Sequence, residues 1–160
     1  MNVWQKKEFG IEVSLTWLLD DCLLREKTIS DLTPEASRLH ILLVDDLLAR
    51  RESIARKLSR FGFKNVCHGN LRRALSGHSK NVVDLVIAIP RDLEGNVLHE
   101  LALIKATSKF SKTPVLLVLT APKKDDLIAA ASQMGADVYV IWPLSTKILA
   151  QKISNIFQKN

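Results

Sequence analysis

The chain has 160 residues and a net charge of +6, with 47% hydrophobic and 25% charged side chains. Its six glycines, five prolines and two cysteines exclude a collagen-like chain, a disordered low-complexity chain and a disulfide scaffold. A chain of this length buries one sizeable core, so we expect a single domain with a short appendage.

Cysteine usage and hydropathy indicate a cytoplasmic location. Cys22 and Cys67 lie far apart in sequence, which is typical of free thiols in a reducing compartment. The N-terminal segment carries charges where a signal peptide needs an apolar run, and no stretch approaches the roughly 18 apolar residues of a membrane span. We therefore expect no membrane span.

The excess positive charge is concentrated in one window. Residues 1–39 hold five basic and seven acidic side chains, a balance of −2, which leaves +8 for residues 40–160. Residues 50–80 carry nine basic side chains against Glu52 alone, which is also a balance of +8. The window is typical of a solvated helix face, with Glu52 and Arg56 as an i,i+4 pair, or of a docking patch for an acidic partner. The candidate partner-binding residues in it are Arg50, Arg56 and Arg60.

The first 39 residues are predicted to form a helical N-terminal extension. Leu15, Leu18, Leu19 and Cys22 fall on one helical face. Trp17 and Leu24 fall on the opposite face, so the helix has apolar surface in two directions. Either one face packs on the body and Trp17 is half exposed, or Trp17 and Leu24 contact a partner or a second copy of the chain.

From residue 40 onward, short apolar runs alternate with helical spacing, as in strands and helices around a parallel sheet. The predicted strands are HILLV, NVCH, DLVIAI, PVLLVLT and DVYVIW. Most of these runs are continuously apolar, which is typical of parallel strands covered on both faces. The pattern therefore predicts five βα units.

Apolar stripes at helical spacing predict five helices after these strands. The stripes are, in chain order, Leu47, Ile54, Leu58 and Phe61; Leu71 to Leu75; Val97, Leu101 and Ile104; Leu127, Ile128, Ala131 and Met134; and Leu149, Ile153 and Ile156. Gly62 and Gly135 are expected to end the first and fourth helices, and Ser145 to cap the last.

The run ILLVDDLLARRESIARKLSRFGF, the strand DLVIAI with Gly95 after it, and the segments PVLLVLTA and GADVYVIWPL resemble the receiver domain of two-component response regulators. The resemblance covers about residues 40–158. It implies a doubly wound, flavodoxin-like (βα)5 domain over residues 40–160, with strand order 2-1-3-4-5, that serves bacterial signal transduction.

The resemblance also implies a site for phosphoryl transfer. Receivers accept a phosphoryl group on an aspartate at the end of the third strand, beside Mg²⁺ held by acidic groups after the first strand. A hydroxyl at the end of the fourth strand and a lysine before a proline after the fifth complete the site. In this chain Asp45 and Asp46 match the acidic pair, and Thr120 matches the hydroxyl.

The other two parts of the family's site are replaced. Alignment on the strand puts Ile89 at the acceptor position, whereas alignment on Gly95 puts Ile87 there. Trp142 stands at the lysine position, before Pro143. Isoleucine cannot accept a phosphoryl group, and an indole offers one neutral N–H where an ammonium would stabilise anionic oxygens. The family pattern also predicts a cis bond between Trp142 and Pro143, with the indole covering the former site.

The interpretation of the acidic pair stays open between a metal site and a helix cap. Asp45 and Asp46 could hold Mg²⁺ weakly, because one ligand of the family's site is missing. They could instead stabilise the N-terminus of the first helix through its dipole, without any metal. We expect no other cofactor. A rearranged loop could also carry Asp92 towards the vacant acceptor position.

These replacements predict a receiver-like module that is not an enzyme and acts through a protein partner, independently of phosphorylation. The resemblance implies a contact surface, or a homodimer interface, on the fourth helix, fifth strand and fifth helix. Its charged residues are Lys123, Lys124, Asp125, Asp126, Lys147 and Lys152.

The sequence offers three alternatives to this function. The first is an atypical response regulator that is still phosphorylated on a nearby aspartate. The second is a nucleic-acid-binding regulator using the basic window, which lacks interleaved aromatic side chains and is disfavoured. The third is a flavin enzyme, which the two carboxylates of the loop DDLLARR disfavour because they repel phosphate.

Overall fold

The computed structural model describes residues 36–76, 82–90, 94–119, 125–143 and 145–158. The predicted helical extension, with Trp17 and Leu24, lies outside these residues apart from its last four positions. Ala36–Arg38 form a 3-10 helix that leads into the first strand. The boundary between extension and domain at residue 40 stays a prediction, although the first strand begins there.

Five parallel strands form one sheet. They are β1 (His40–Asp45), β2 (Asn65–Gly69), β3 (Leu85–Ile89), β4 (Val115–Leu119) and β5 (Val138–Ile141). Their order across the sheet is β2-β1-β3-β4-β5, and all four pairings are parallel. The predicted fold class and strand order are therefore confirmed.

Helices cover the sheet on both sides. They are α1 (Leu48–Arg60), α2 (Leu71–Leu75), α3 (Glu94–Ala106), α4 (Asp125–Gln133) and α5 (Thr146–Gln158). The chain leaves α1 and α4 through Gly62 and Gly135, whose φ angles of 97° and 102° suit glycine. Ser145 caps α5, because its Oγ accepts the Ile148 N–H at 3.1 Å. These three predictions are confirmed.

The core consists of two clusters, one on each face of the sheet. Alternate residues of β1, β3 and β4 point to opposite faces, which is why their apolar runs are continuous. One cluster packs the sheet against α1 and α5, and we call it the α1/α5 cluster; it includes Ile41, Leu43, Ile54, Leu58, Ile87, Ile89, Leu149 and Ile153. The other packs the sheet against α2, α3 and α4; it includes Val86, Ala88, Val97, Leu101, Ile104, Leu127 and Ala131.

Three residues of the predicted helical stripes lie outside their helices: Leu47, Phe61 and Met134. Leu47 precedes α1 with extended backbone angles and is 59% exposed. Met134 follows the last residue of α4 and is 38% exposed, because the chain has already turned towards Gly135. Phe61 is the C-cap residue of α1, so each of these three residues lies one position beyond the observed helix.

Candidate functional site

The carboxyl ends of β1 and β3 lie side by side at one edge of the sheet. Asp45, the last residue of β1, pairs in register with Ile89, the last residue of β3. Both residues are buried, and both point to the face covered by α1 and α5. Ile87 pairs with Leu43, two residues further from this edge. The position beside the buried carboxylate is therefore Ile89, and it is apolar.

The Asp45 carboxylate accepts three hydrogen bonds from its own chain. The Arg50 guanidinium donates two hydrogen bonds to it, from Nε to Oδ2 at 2.5 Å and from Nη2 to Oδ1 at 2.9 Å. The Leu47 backbone N–H donates to Oδ1 at 2.9 Å. The Asp45 side chain is 0% exposed and the Arg50 side chain 18% exposed, so this ion pair is largely shielded from water.

Arg51, the next residue of α1, also binds Asp45, at the corner of the domain where β1 ends and α1 begins. Its Nη1 donates to the Asp45 backbone oxygen at 2.7 Å, and its Nε donates to His68 Nδ1 at 3.2 Å. His68 lies on β2, so this side chain links the end of β1, the first turn of α1 and the edge strand. The two arginines thereby fix how α1 leaves the sheet.

This arrangement gives Arg50 a role that the sequence analysis missed. We predicted Arg50 as part of a partner surface, but its guanidinium is bound to Asp45. One sequence signal could have revealed this contact. The first turn of α1 contains Arg50 and Arg51 but no acidic residue, which is unfavourable at the positive end of the helix dipole unless an acid lies nearby. Asp45, three residues before the helix begins, is that acid.

The residues present do not fit the Mg²⁺ ion that the receiver family implies. Mg²⁺ requires several oxygen ligands in near-octahedral geometry, whereas both oxygens of Asp45 accept bonds from Arg50. Asp46 is exposed at the same corner. Within the part of the chain that the structure describes, no three His, Cys, Asp or Glu side chains come together in a way that could hold a metal ion.

Trp142 and Pro143 follow β5 at the same edge of the sheet. The peptide bond between them is cis, as predicted. The Trp142 backbone N–H donates to the Leu119 oxygen at 2.6 Å, which holds it beside the end of β4. The partly buried Trp142 packs against the α1/α5 cluster, which also contains Ile89. Trp142 therefore contributes apolar surface on the side of the sheet where Asp45 lies.

Several candidate residues do not belong to this corner. Arg56, Arg60 and Lys147 are exposed on α1 and α5. Lys57, inside the basic window, is only 7% exposed, so this window is not a uniform solvated face. Four further candidates lie outside the described residues: Asp92, Thr120, Lys123 and Lys124.

A parallel sheet in the order 2-1-3-4-5, with helices on both faces, is the flavodoxin-like fold that receiver domains share. The chain is 31% identical over 124 residues to chemotaxis protein CheY of Pseudomonas aeruginosa, covering 76% of this chain and 98% of that protein. It therefore belongs to the CheY-like receiver family, the receivers of two-component signalling. It is also 27% identical over 122 residues to CheY-3 of Vibrio cholerae, covering 76% of this chain and 93% of that protein.

Solved structures share the same fold. Vibrio cholerae CheY4 matches with a TM-score of 0.64 at 19% identity, over 73% of this chain and 97% of that chain. A Thermotoga maritima response regulator matches with a TM-score of 0.62 at 23% identity, over 75% of this chain and 98% of that chain. No family model matches the sequence. Among the described helices, none combines the length and apolar character needed to cross a membrane.

Proposed function

We propose that this chain is a pseudo-receiver, a regulatory module that binds a protein partner without being phosphorylated. The observation that carries the proposal is the pairing of Asp45 with Ile89 at the carboxyl edge of the sheet. A phosphoryl acceptor at this edge has to be a nucleophile, and the Ile89 side chain offers only a hydrocarbon surface that is buried in the core.

The replacement of the family's lysine supports the same proposal. Stabilising a phosphoryl group requires positive charge or strong donors directed at its oxygens. Trp142 supplies no charge, and it packs against the apolar cluster that contains Ile89. The nearest described cation, Arg50, is already bound to Asp45. These features favour a protein that is not an enzyme and needs no cofactor.

The test is incubation with acetyl phosphate and Mg²⁺, followed by intact-mass analysis. A receiver that retains the acceptor aspartate and the lysine serves as the positive control for the donor. We expect the positive control to gain the mass of one phosphoryl group and this chain to gain none. A hydroxylamine-labile mass gain would contradict the proposal, and peptide mapping would then show whether Asp92 is the acceptor.

We propose that β5 and the adjoining helices form the contact surface. Tyr139, Ile141 and Ile148 are between 41% and 48% exposed, which is unusual for large apolar side chains. Lys147 and Lys152 on α5, and Asp125 and Asp126 on α4, are exposed charges of both signs. A surface with both signs of charge can pair with itself across a two-fold axis, so the expected occupant is a second copy of the chain.

A solved neighbour of this chain is the beryllofluoride-activated NtrC4 receiver domain dimer, which matches with a TM-score of 0.62 at 20% identity. Sedimentation velocity without any phosphodonor tests the dimer here. We expect the wild type to dimerise and Ile148→Glu to remain monomeric. Val82→Glu is the control, because Val82 is 78% exposed and lies before β3, away from this surface. A wild type that stays monomeric at all concentrations would contradict self-association. The expected occupant of the surface would then be an acidic protein partner.

The proposal also includes a cytoplasmic location and excludes nucleic acid as the main partner. An exposed free thiol at Cys67 suits a reducing compartment. Arg50, Arg51 and Lys57 of the basic window are held against the chain or buried, which leaves fewer cations to contact phosphates. A gel-shift titration at low salt should show no tight binding.

A further inference from the structure

We infer that Arg50 is a built-in cation that takes the place of the divalent metal ion at the receiver's acidic corner. The inference goes beyond the proposed function, since it concerns the cation and not the phosphoryl acceptor. It rests on the largely buried ion pair in which the Arg50 guanidinium donates two hydrogen bonds to the Asp45 carboxylate.

A buried carboxylate needs a compensating charge. The Asp45 side chain is 0% exposed, and an ionised carboxylate in such a place is costly unless it is paired and hydrogen-bonded. Two kinds of group can supply the charge: a metal ion from solution, or a cationic side chain. Arg50 supplies it from the same chain, with two parallel hydrogen bonds of the geometry that a guanidinium fork makes best.

The occupied carboxylate excludes a second cation. Oδ1 accepts from Arg50 and from the Leu47 N–H, and Oδ2 accepts from Arg50 Nε. A divalent ion would have to displace the guanidinium and leave it unpaired in a site where only 18% of its side chain is exposed. A divalent ion bound beside the Arg50 guanidinium would be repelled strongly, because both are positive and water is largely excluded. The Asp45 carboxylate is thus neutralised by its own chain, whatever the Mg²⁺ concentration.

This arrangement has a measurable consequence. The wild type should bind no divalent cation at Asp45, and its stability should not depend on Mg²⁺. Removal of the guanidinium should leave the carboxylate without a counter-charge. The variant should then lose stability in a chelator and recover part of it when Mg²⁺ neutralises Asp45 together with Asp46.

The experiment compares the wild type with Arg50→Met by thermal unfolding, in chelator and in millimolar Mg²⁺, and by Mn²⁺ binding in electron paramagnetic resonance. Arg56→Met is the matched control, because Arg56 is an exposed arginine of the same helix. We expect the wild type and Arg56→Met to bind no Mn²⁺ and to keep the same unfolding midpoint in both solutions. Arg50→Met should unfold several degrees lower in chelator, rise with Mg²⁺ and bind Mn²⁺.

Three results would overturn the inference. The first is Mn²⁺ binding by the wild type that Asp45→Asn abolishes. The second is an Arg50→Met midpoint that Mg²⁺ leaves unchanged. The third result concerns Arg50→Lys, which replaces Arg50→Met if that variant does not fold. Arg50→Lys keeps a positive charge beside Asp45, so an unfolding midpoint that rises with Mg²⁺ would contradict the inference. None of these measurements involves a phosphodonor, so the inference can fail while the proposed function stands.

Discussion

The substitution Asp45→Asn tests the ion pair at the end of β1 through its effect on stability. The carboxylate accepts three hydrogen bonds, two from Arg50 and one from Leu47. Removing one partner of a buried ion pair costs about 3–5 kcal/mol when the other charge stays buried. Because the Arg50 side chain is 18% exposed, it can recover some hydration, and we expect a loss at the lower end, ~3 kcal/mol.

Urea unfolding followed by far-UV circular dichroism measures this loss. The urea midpoint should fall. The slope of the unfolding free energy against urea concentration should stay constant, because the surface exposed on unfolding hardly changes. A double-mutant cycle with Arg50→Met then isolates the pair, and we expect a coupling energy of ~2 kcal/mol. Asp46→Asn is the control in the same turn; Asp46 is exposed and should cost less than ~1 kcal/mol. A loss below ~0.5 kcal/mol for Asp45→Asn would refute the reasoning.

Three further substitutions test the scaffold by the same urea assay. Leu58→Ala removes a 0% exposed side chain from the α1/α5 cluster and should cost about 3 kcal/mol, whereas less than ~1 kcal/mol would mean that α1 packs differently. Gly135→Ala puts a Cβ on a residue with φ of 102° and 2.9 Å from Lys105 Cε; it should cost ~1–2 kcal/mol, mostly from the backbone, and a neutral result would contradict the left-handed turn after α4. Ser145→Ala removes the cap of α5 and should cost ~1 kcal/mol, while Ser145→Asp should retain most of the stability.

The fold could be predicted because burial on both faces leaves a strong pattern. β1, β3 and β4 are continuously apolar since helices cover both sides of the sheet. The edge strands β2 and β5 are mixed in burial, yet like the central strands they were predicted to within one residue at each end. Helix ends were predictable where one residue type has a specific conformational role, as with Gly62 and Ser145.

The site was predictable only in part, because its contacts depend on tertiary geometry. The sequence left Ile87 and Ile89 as alternatives for the acceptor position, and strand register favours Ile89 because it pairs with Asp45. Helical periodicity could not show that Arg50 turns back onto Asp45, since the path from β1 into α1 sets that contact. A lone arginine in a basic window is more often solvated, and only its unfavourable position at the helix N-terminus indicated otherwise.

The most direct test of the central claim is ¹H–¹⁵N correlation spectroscopy of the full chain titrated with Mg²⁺ and beryllofluoride, an analogue of a phosphoryl group. The account predicts that the amide signals of Asp45, Ile89 and Trp142 do not move, because Ile89 offers no nucleophile and the Asp45 carboxylate is already bound by Arg50. Saturable shifts centred on these residues would contradict it, since they would show that the corner still accepts a phosphoryl group.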